Sequence, residues 1–186
     1  MDHPAFLFLG EAIWLDLVNT VPPPLLLFHR PDSLADLEAA NAWLRAAGLP
    51  PLDPRLGGAA LLLLRAELIR LGDALAGGGR PPTSAVTAIN SLLRNHEGRQ
   101  QLTRIGGAWR LRFVPTASPG ALEAVALSAA QSLADPLALV RRCIEPSCRC
   151  LFIDATSGHT RSWCREECRV VAGLERRRGG RTVPTV

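Results

Sequence analysis

Residues 142–168 read RCIEPSCRCLFIDATSGHTRSWCREEC and contain all five cysteines of the chain. Cys143 and Cys148 are separated by four residues, and after fifteen more residues Cys164 and Cys168 are separated by three. Two close pairs joined by a loop of this size are typical of a tetrahedral structural zinc site. The segment therefore predicts one structural Zn²⁺ held by four thiolates, with no open coordination position for catalysis.

The residues around the cysteines indicate the local fold. Residues 151–153, Leu-Phe-Ile, favour a strand, and residues 157–159, Ser-Gly-His, favour a turn. Cys164 and Cys168 lie about one helical turn apart, which places them at the start of a helix running toward Arg178. A knuckle, a hairpin and a helix carrying the last two ligands predict a treble-clef-like finger.

Other readings of the cysteine segment stay open at this point. The thiols could be buried and reduced, or form a pair of disulfides. Cys150 could replace Cys148 as a ligand or pack as a small apolar residue, and it could be a redox-responsive thiol whose pKa is lowered beside Arg149. His159 could substitute as a ligand or face solvent on its turn.

Composition excludes several classes of chemistry. The chain has 186 residues, and all 21 basic residues are arginine, with no lysine and no tyrosine. Schiff-base catalysis, a P-loop lysine and phenol acid–base schemes are excluded. The four histidines lie beside no convincing nucleophile, so we expect no enzyme. With no secretory signal and no apolar stretch of membrane-spanning length, we expect a cytoplasmic protein without a membrane partner.

Charge divides the chain in two. Residues 1–140 carry 11 arginines and 12 acids, whereas residues 141–186 carry 10 arginines and 5 acids. The net charges are therefore −1 and +5. We expect a helical domain over residues 1–138 and a zinc finger with a basic C-terminal helix and tail over residues 139–186.

The first module has mainly helical periodicity. Residues 59–76 predict a helix that ends at a glycine run, and residues 102–105 and 109–113 predict a hairpin around Gly106-Gly107. The remaining elements predicted are a short strand at 6–9, a helical turn at 12–18, and helices at 32–47, capped by Asp32 or Ser33, at 83–95, at 120–133, and from Asp135-Pro136. The fold class expected is mainly α.

An arginine stripe on the last helix indicates nucleic-acid binding. At about 100° per residue, Arg165, Arg169 and Arg176 fall on one side of a helix that starts at Cys164. Such a stripe suits phosphate contacts and guanine recognition. The alternative is a solvated face on a finger that staples the C-terminus or contacts another protein. The candidate DNA-binding residues are Arg161, Arg165, Arg169, Arg176, Arg177 and Arg178.

Polar residues near the N-terminus could line an effector pocket. Asp16, Asn19 and Thr20 follow one another after Trp14 and are the candidate ligand-binding residues. Equally, they could satisfy helix ends or backbone groups. Arg142 could pair with Asp16 across the module boundary. The tryptophans Trp14, Trp43 and Trp109 are expected to pack in the core or at an interface.

Two sets of residues carry a resemblance to a known family. In the cysteine segment they are Arg142-Cys143, Cys148, Leu151 to Asp154, Arg161 to Cys164, and Cys168, and in the first module they are Gly10, Leu15 to Thr20, Asp32 to Leu37, Trp43-Leu44 and Gly48-Leu49. With these residues the chain resembles proteins in which an ABATE domain precedes a CGNR zinc finger. The similarity covers nearly the whole chain. It implies a bacterial, stress-induced transcription regulator with a DNA-binding finger and an N-terminal domain that senses an effector.

The chain departs from the signature that gives the CGNR finger its name. Cys168 is followed by Arg169-Val170-Val171 in place of Gly-Asn-Arg. The four cysteines are kept, so the predicted metal shell is unaffected. Any contact that the family's Asn and Arg make is not carried over to this sequence.

Overall fold

The computed structural model of the chain contains six helices and two antiparallel two-stranded sheets within its described residues. Those residues are 6–21, 32, 34, 36–94 and 96–179, and the side chains of residues 172 and 174–179 lie outside the description. In chain order the elements are α1 (Ile13–Val18), α2 (Leu37–Ala46), α3 (Gly57–Ala76), α4 (Thr83–Leu93), β1 (Gly98–Ile105), β2 (Ala108–Pro115), α5 (Ala121–Ala134), β3 (Leu139–Arg142), β4 (Leu151–Asp154) and α6 (Glu166–Gly179).

Helix α3 is the centre of the helical part. Its leucines at 61, 64, 68 and 71 recur at helical spacing, and all four are buried. Trp14 from α1 and Trp43 from α2 join the same core and are fully buried, as expected. The helix predicted over residues 59–76 is confirmed, with its start two residues earlier. No described helix combines the length and apolar content that a bilayer crossing requires.

Helix α2 begins later than the sequence predicts. Its N-cap is Asp36, whose carboxylate accepts a hydrogen bond from the Ala39 amide at 2.8 Å. The prediction of Asp32 as the cap is wrong, because its carboxylate instead pairs with the buried Arg65 guanidinium. Ser33, the other predicted cap, lies outside the described residues.

Two further predicted elements differ in the structure. Residues 6–9 form no strand, although the next carbonyl, that of Gly10, accepts a hydrogen bond from the Ile153 amide at 3.1 Å. Asp135 and Pro136 start no helix. The Asp135 carboxylate accepts from the Leu137 amide at 2.9 Å, which makes a turn, and the chain then enters β3.

The first sheet is the predicted hairpin. Strands β1 and β2 pair from Gly98 with Pro115 to Ile105 with Ala108. Gly106 and Gly107 both have positive φ, 58° and 84°, which a two-residue turn of this kind requires. The hairpin is confirmed, and it is longer than predicted.

The second sheet, β3 with β4, packs on α3. Strand β4 was expected, whereas β3 was not. Leu151 on β4 lies so close to Gly72 of α3 that a Cβ built on the glycine would be 2.4 Å from the Leu151 Cδ1. A glycine inside a helix costs about 1 kcal/mol relative to alanine. Here it allows the close approach of the cysteine segment to the helical core.

Candidate metal centre

The first cysteine pair is set by a tight loop between β3 and β4. The Cys143 amide donates to the Cys150 carbonyl at 2.8 Å, which closes the loop immediately beyond the two strands. Within it, the Cys148 amide donates to the Glu145 carbonyl at 2.9 Å. Arg149 adopts a left-handed conformation, with φ of 58°. These contacts turn the chain so that the Cys143 and Cys148 side chains lie on the same side.

The second pair lies at the start of α6. Cys164 precedes the helix and Cys168 lies in its first turn. The Cys164 sulfur is 3.4 Å from that of Cys148 and 3.7 Å from that of Cys168. All four sulfurs, including that of Cys143, lie within 4.8 Å of one another. The two pairs predicted from spacing therefore meet in one cluster.

The size and chemistry of the cluster fit one tetrahedral metal ion. Four sulfurs at the usual Zn–S distance of about 2.3 Å would be about 3.8 Å apart, close to the separations found. Three of the four cysteines are buried and Cys148 is half-buried. The sulfur separations are far longer than the ~2.05 Å of a disulfide, and all five cysteines are free thiols. Soft thiolates in this arrangement suit zinc.

Cys150 and His159 lie outside the four-sulfur set. Cys150 is half-buried and packs against the cluster, and a hydrogen bond to the Cys148 sulfur, together with burial, raises its pKa to about 12. This direction is opposite to the lowered pKa suggested for Cys150 beside Arg149. The His159 Nδ1 lies 2.9 Å from the Asp154 carbonyl, so its ring is used in the turn after β4.

The pKa values of the other thiols are shifted in opposite directions. Hydrogen bonds from the Cys150 and Cys164 thiols hold the pKa of Cys148 well below its usual range. Burial raises the pKa of Cys168 to about 11. A hydrogen bond to Cys168 raises the pKa of Arg165, which places a guanidinium directly beside the cluster. Such outer donors orient thiolates and reduce their charge in metal sites.

Arg161 is an internal organiser of the segment. Its Nε donates to the Trp163 carbonyl at 3.0 Å, and its Nη2 donates to the Cys164 carbonyl at 2.6 Å. The guanidinium carbon lies 4.5 Å from the centre of the Phe152 ring, and Nη1 pairs with Glu11. The sequence identified Arg161 as a DNA contact, whereas the structure uses its donors to position the loop before Cys164.

The remaining arginines of the predicted stripe are placed differently from one another. Arg165 is oriented toward the Cys168 sulfur. Arg169 is exposed and donates to both carboxylate oxygens of Glu166, at 2.9 and 2.8 Å. The side chains of Arg176, Arg177 and Arg178 lie outside the described part, although the helix backbone continues to Gly179.

Asp154 holds the loop between β4 and the second cysteine pair. It is fully buried and accepts hydrogen bonds from the Thr156 amide at 3.0 Å, the Thr156 hydroxyl at 2.5 Å and the Arg161 amide at 3.0 Å. Arg141 lies 3.1 Å from the same carboxylate. Burial alone would raise the pKa of Asp154, but these donors outweigh it and hold the pKa below its usual value.

Asn19 joins the helical part to the cysteine segment. Its amide nitrogen donates to the Leu151 carbonyl and its amide oxygen accepts from the Leu151 amide, both at 2.8 Å. One side chain thus satisfies both backbone groups of a β4 residue that is 1% exposed. Asn19 was a candidate ligand-binding residue, and its donor and acceptor are both used here.

The other two candidate ligand-binding residues also make internal contacts. The buried Asp16 carboxylate accepts from the Gly10 amide at 2.7 Å, and burial raises its pKa. Thr20 donates to the Leu17 carbonyl and accepts from Arg65 at 2.8 Å. The three side chains are therefore directed to separate internal partners, and Asp16 and Thr20 hold the two ends of α1.

Within the described part of the chain, two ion pairs join the first module to the cysteine segment. Arg142 pairs with Asp73 of α3 at 2.5 Å, and not with Asp16, the partner that the sequence suggested as possible. Asp16 is instead used at the Gly10 turn. Arg161 with Glu11 forms a second pair of this kind. Sequence reasoning missed Asp73, Glu11 and Gly72, and only the mid-helix glycine carried a signal, since its cost needs a packing reason.

Comparison with known proteins assigns a family to about two-thirds of the sequence. A family model described as "Putative stress-induced transcription regulator" matches residues 11–136. The match covers more than half of the chain and ends just before β3. No curated protein matches the chain.

Proposed function

Since the chain belongs to the ABATE family, we propose that it is a zinc-containing transcription regulator whose C-terminal segment binds DNA. The observation that carries the proposal is the four-sulfur cluster at the start of α6, which lies within a segment, residues 141–186, with a net charge of +5. Four thiolates around Zn²⁺ contribute about −2, which leaves about +3 for contact with phosphates.

The proposed division of labour follows the charge. Residues 1–138 form the ABATE domain, and residues 139–186 form a treble-clef-like finger with one structural Zn²⁺ bound by Cys143, Cys148, Cys164 and Cys168. When bound, zinc would supply a rigid cross-link between the loop after β3 and α6. A closed shell of four thiolates has no free position for substrate, so the proposed role of the zinc is structural.

The proposed DNA-contacting surface is the exposed side of α6. Arg169 pairs with Glu166 in a solvent-exposed contact, and such pairs are weak enough to exchange for a phosphate. Arg176, Arg177 and Arg178 extend the charge toward the end of the helix. Arg161 is left out of this surface because its donors hold the loop before Cys164.

A small-molecule effector would act through the contacts between the two parts. The Asn19 amide and the Arg142–Asp73 pair connect α1 and α3 to the β3–β4 sheet. An effector that bound the ABATE domain and shifted α1 would change the position of the finger. Under this proposal Asp16, Asn19 and Thr20 transmit the signal, because their polar groups make the internal contacts of α1.

Fluorescence anisotropy of a labelled duplex tests the DNA proposal. The zinc-loaded protein should lose affinity linearly with log salt between about 50 and 200 mM. Replacing Arg169, Arg176 and Arg177 by Gln should reduce the salt slope by about 3, because each arginine neutralises about one phosphate. The matched control replaces the exposed Arg45, Arg55 and Arg80 of the helical part, with the same change in net charge.

Each outcome decides between two functions. A reduced slope in the α6 variant alone supports DNA binding by the finger. Equal slopes in the wild type, the α6 variant and the control would refute it. The alternative, a zinc-stapled module that binds protein or a small ligand without DNA, is supported if the zinc-loaded wild type does not bind the duplex.

A further inference from the structure

The β1–β2 hairpin is an exposed arm with an unusual charge. Residues 98–115 contain four arginines and no acid, whereas the rest of residues 1–140 contains 7 arginines and 12 acids. The near-neutral charge of the first module therefore combines a hairpin of +4 with a body of −5. Along both strands every residue is exposed except the half-buried Thr103 and Val114.

The register separates the hairpin into two faces. Residues that pair across the strands share a face, and successive residues alternate between faces. One face carries Arg99, Arg110 and Arg112 with Gln101 and Thr103, and also Ile105 and Val114. The opposite face carries Gln100 and Arg104 together with the large exposed apolar side chains of Leu102, Trp109, Leu111 and Phe113. Trp109, which the sequence predicted to be packed, is 65% exposed.

The hairpin is attached to the helical part at its base, and its arginines have no carboxylate partners among the described residues. The Phe113 ring contacts that of His96, with centroids 5.2 Å apart, and His96 pairs with Glu123 of α5 at 2.7 Å. Among the described residues, no carboxylate forms an ion pair with any hairpin arginine; Arg104 donates only to the Gly107 carbonyl, at 3.3 Å. These guanidinium groups are available to an external anion.

We propose that the hairpin is a second DNA-binding element, with Arg99, Arg110 and Arg112 directed to the phosphates of a duplex. A two-stranded ribbon has the dimensions that the major groove admits, and arginines without acids complement the charge of a polyanion. The proposal rests on the DNA binding proposed above, but it assigns part of that binding to the ABATE domain. The charge of the hairpin selects this partner over a second copy, whose identical arm is also +4.

The test compares the zinc-loaded full chain with a triple variant, Arg99→Gln, Arg110→Gln and Arg112→Gln. Anisotropy of the same labelled duplex is measured across the same salt range. We expect the salt slope to fall by about 3 and the affinity at about 100 mM salt to fall at least tenfold. Replacing the same three residues by Lys keeps the charge and should keep most of the slope.

The control removes equal charge elsewhere, at Arg45, Arg55 and Arg80, which are exposed on the helical part. A fall in slope no larger than that of this control would overturn the hairpin proposal. If the hairpin variant alone reduces the slope, the hairpin proposal holds and the α6 surface fails. If the α6 variant alone reduces it, the reverse is true. A wild type that does not bind the duplex refutes both.

A variant on the apolar face distinguishes DNA binding by the hairpin from the association of two copies of the chain. Leu111→Ser removes a side chain that is 67% exposed and leaves every arginine in place. Under the proposal this variant keeps the wild-type mass in sedimentation equilibrium and the wild-type salt slope. A mass that halves with Leu111→Ser, together with an unchanged slope in the arginine variant, would show that the hairpin joins two copies of the chain and would overturn the proposal.

Discussion

The Asn19→Ala substitution tests whether Asn19 links α1 to β4 or is kept for binding a ligand. It removes the only side chain that, among the described residues, bonds both backbone groups of Leu151, at 2.8 Å each. Leu151 is 1% exposed, so its N–H and C=O would be left without partners in the interior. An unsatisfied buried polar group costs about 1–3 kcal/mol. The two together predict a loss of about 2–4 kcal/mol in the free energy of unfolding, allowing for some access of water.

Thermal unfolding measures this loss. For a chain of this length, about 2–4 kcal/mol lowers Tm by about 6–12 °C. The control is Asn90→Ala on the exposed side of α4, which should change stability by less than ~0.7 kcal/mol. A residue kept for ligand binding is usually neutral or costly to stability. An Asn19→Ala protein as stable as the Asn90→Ala control would therefore refute the linking role.

Three other substitutions test neighbouring parts of the structure. Gly72→Ala should lower the free energy of unfolding by up to ~2 kcal/mol, because overpacking against the Leu151 Cδ1 outweighs the gain in helix propensity. In a protein that also carries Leu151→Ala, the same Gly72→Ala change should be stabilising. A Gly72→Ala single variant that is more stable than the wild type in thermal unfolding would contradict the packing. Asp32 has a lowered pKa because it accepts a hydrogen bond from a buried arginine on α3, so its contribution is present above about pH 4 and is lost as pH falls through the folded-state pKa. The difference in Tm between the wild type and Asp32→Asn should be constant from about pH 7 to 5 and shrink below about pH 4, whereas a difference that grows in acid would show the opposite sign. Cys143→Ser should lose zinc on dialysis against a chelator while Cys150→Ser keeps it, and equal loss from both would refute the four-sulfur assignment.

The parts of the fold that follow from local sequence were predicted well. The buried leucines of α3, from Leu61 to Leu71, recur at helical spacing over about three turns, and the Gly106-Gly107 pair supplies the positive φ angles of a two-residue turn. The spacing of the cysteines predicted that Cys143 and Cys148 meet Cys164 and Cys168, because the members of each pair are close in sequence, although it left Cys150 open as a replacement for Cys148.

The parts that depend on distant partners were not predictable in the same way. Strand β3 is only four residues long, and it is a strand because it pairs with β4. Arg161 looks like a surface cation in the sequence, but the Trp163 and Cys164 carbonyls and the Phe152 ring converge on it only in the fold. Trp109 is a large aromatic residue of a type that usually packs in a core, yet it lies on an exposed hairpin and is 65% exposed. In each case tertiary context decided the outcome.

Measurement of the metal content and sulfur coordination of the purified protein tests the central claim most directly. The account predicts one zinc per chain, bound by four sulfurs at about 2.3 Å in X-ray absorption, with no nitrogen or oxygen ligand. Metal-free protein that is folded and retains its thiols, or zinc bound through fewer than four sulfurs, would contradict it.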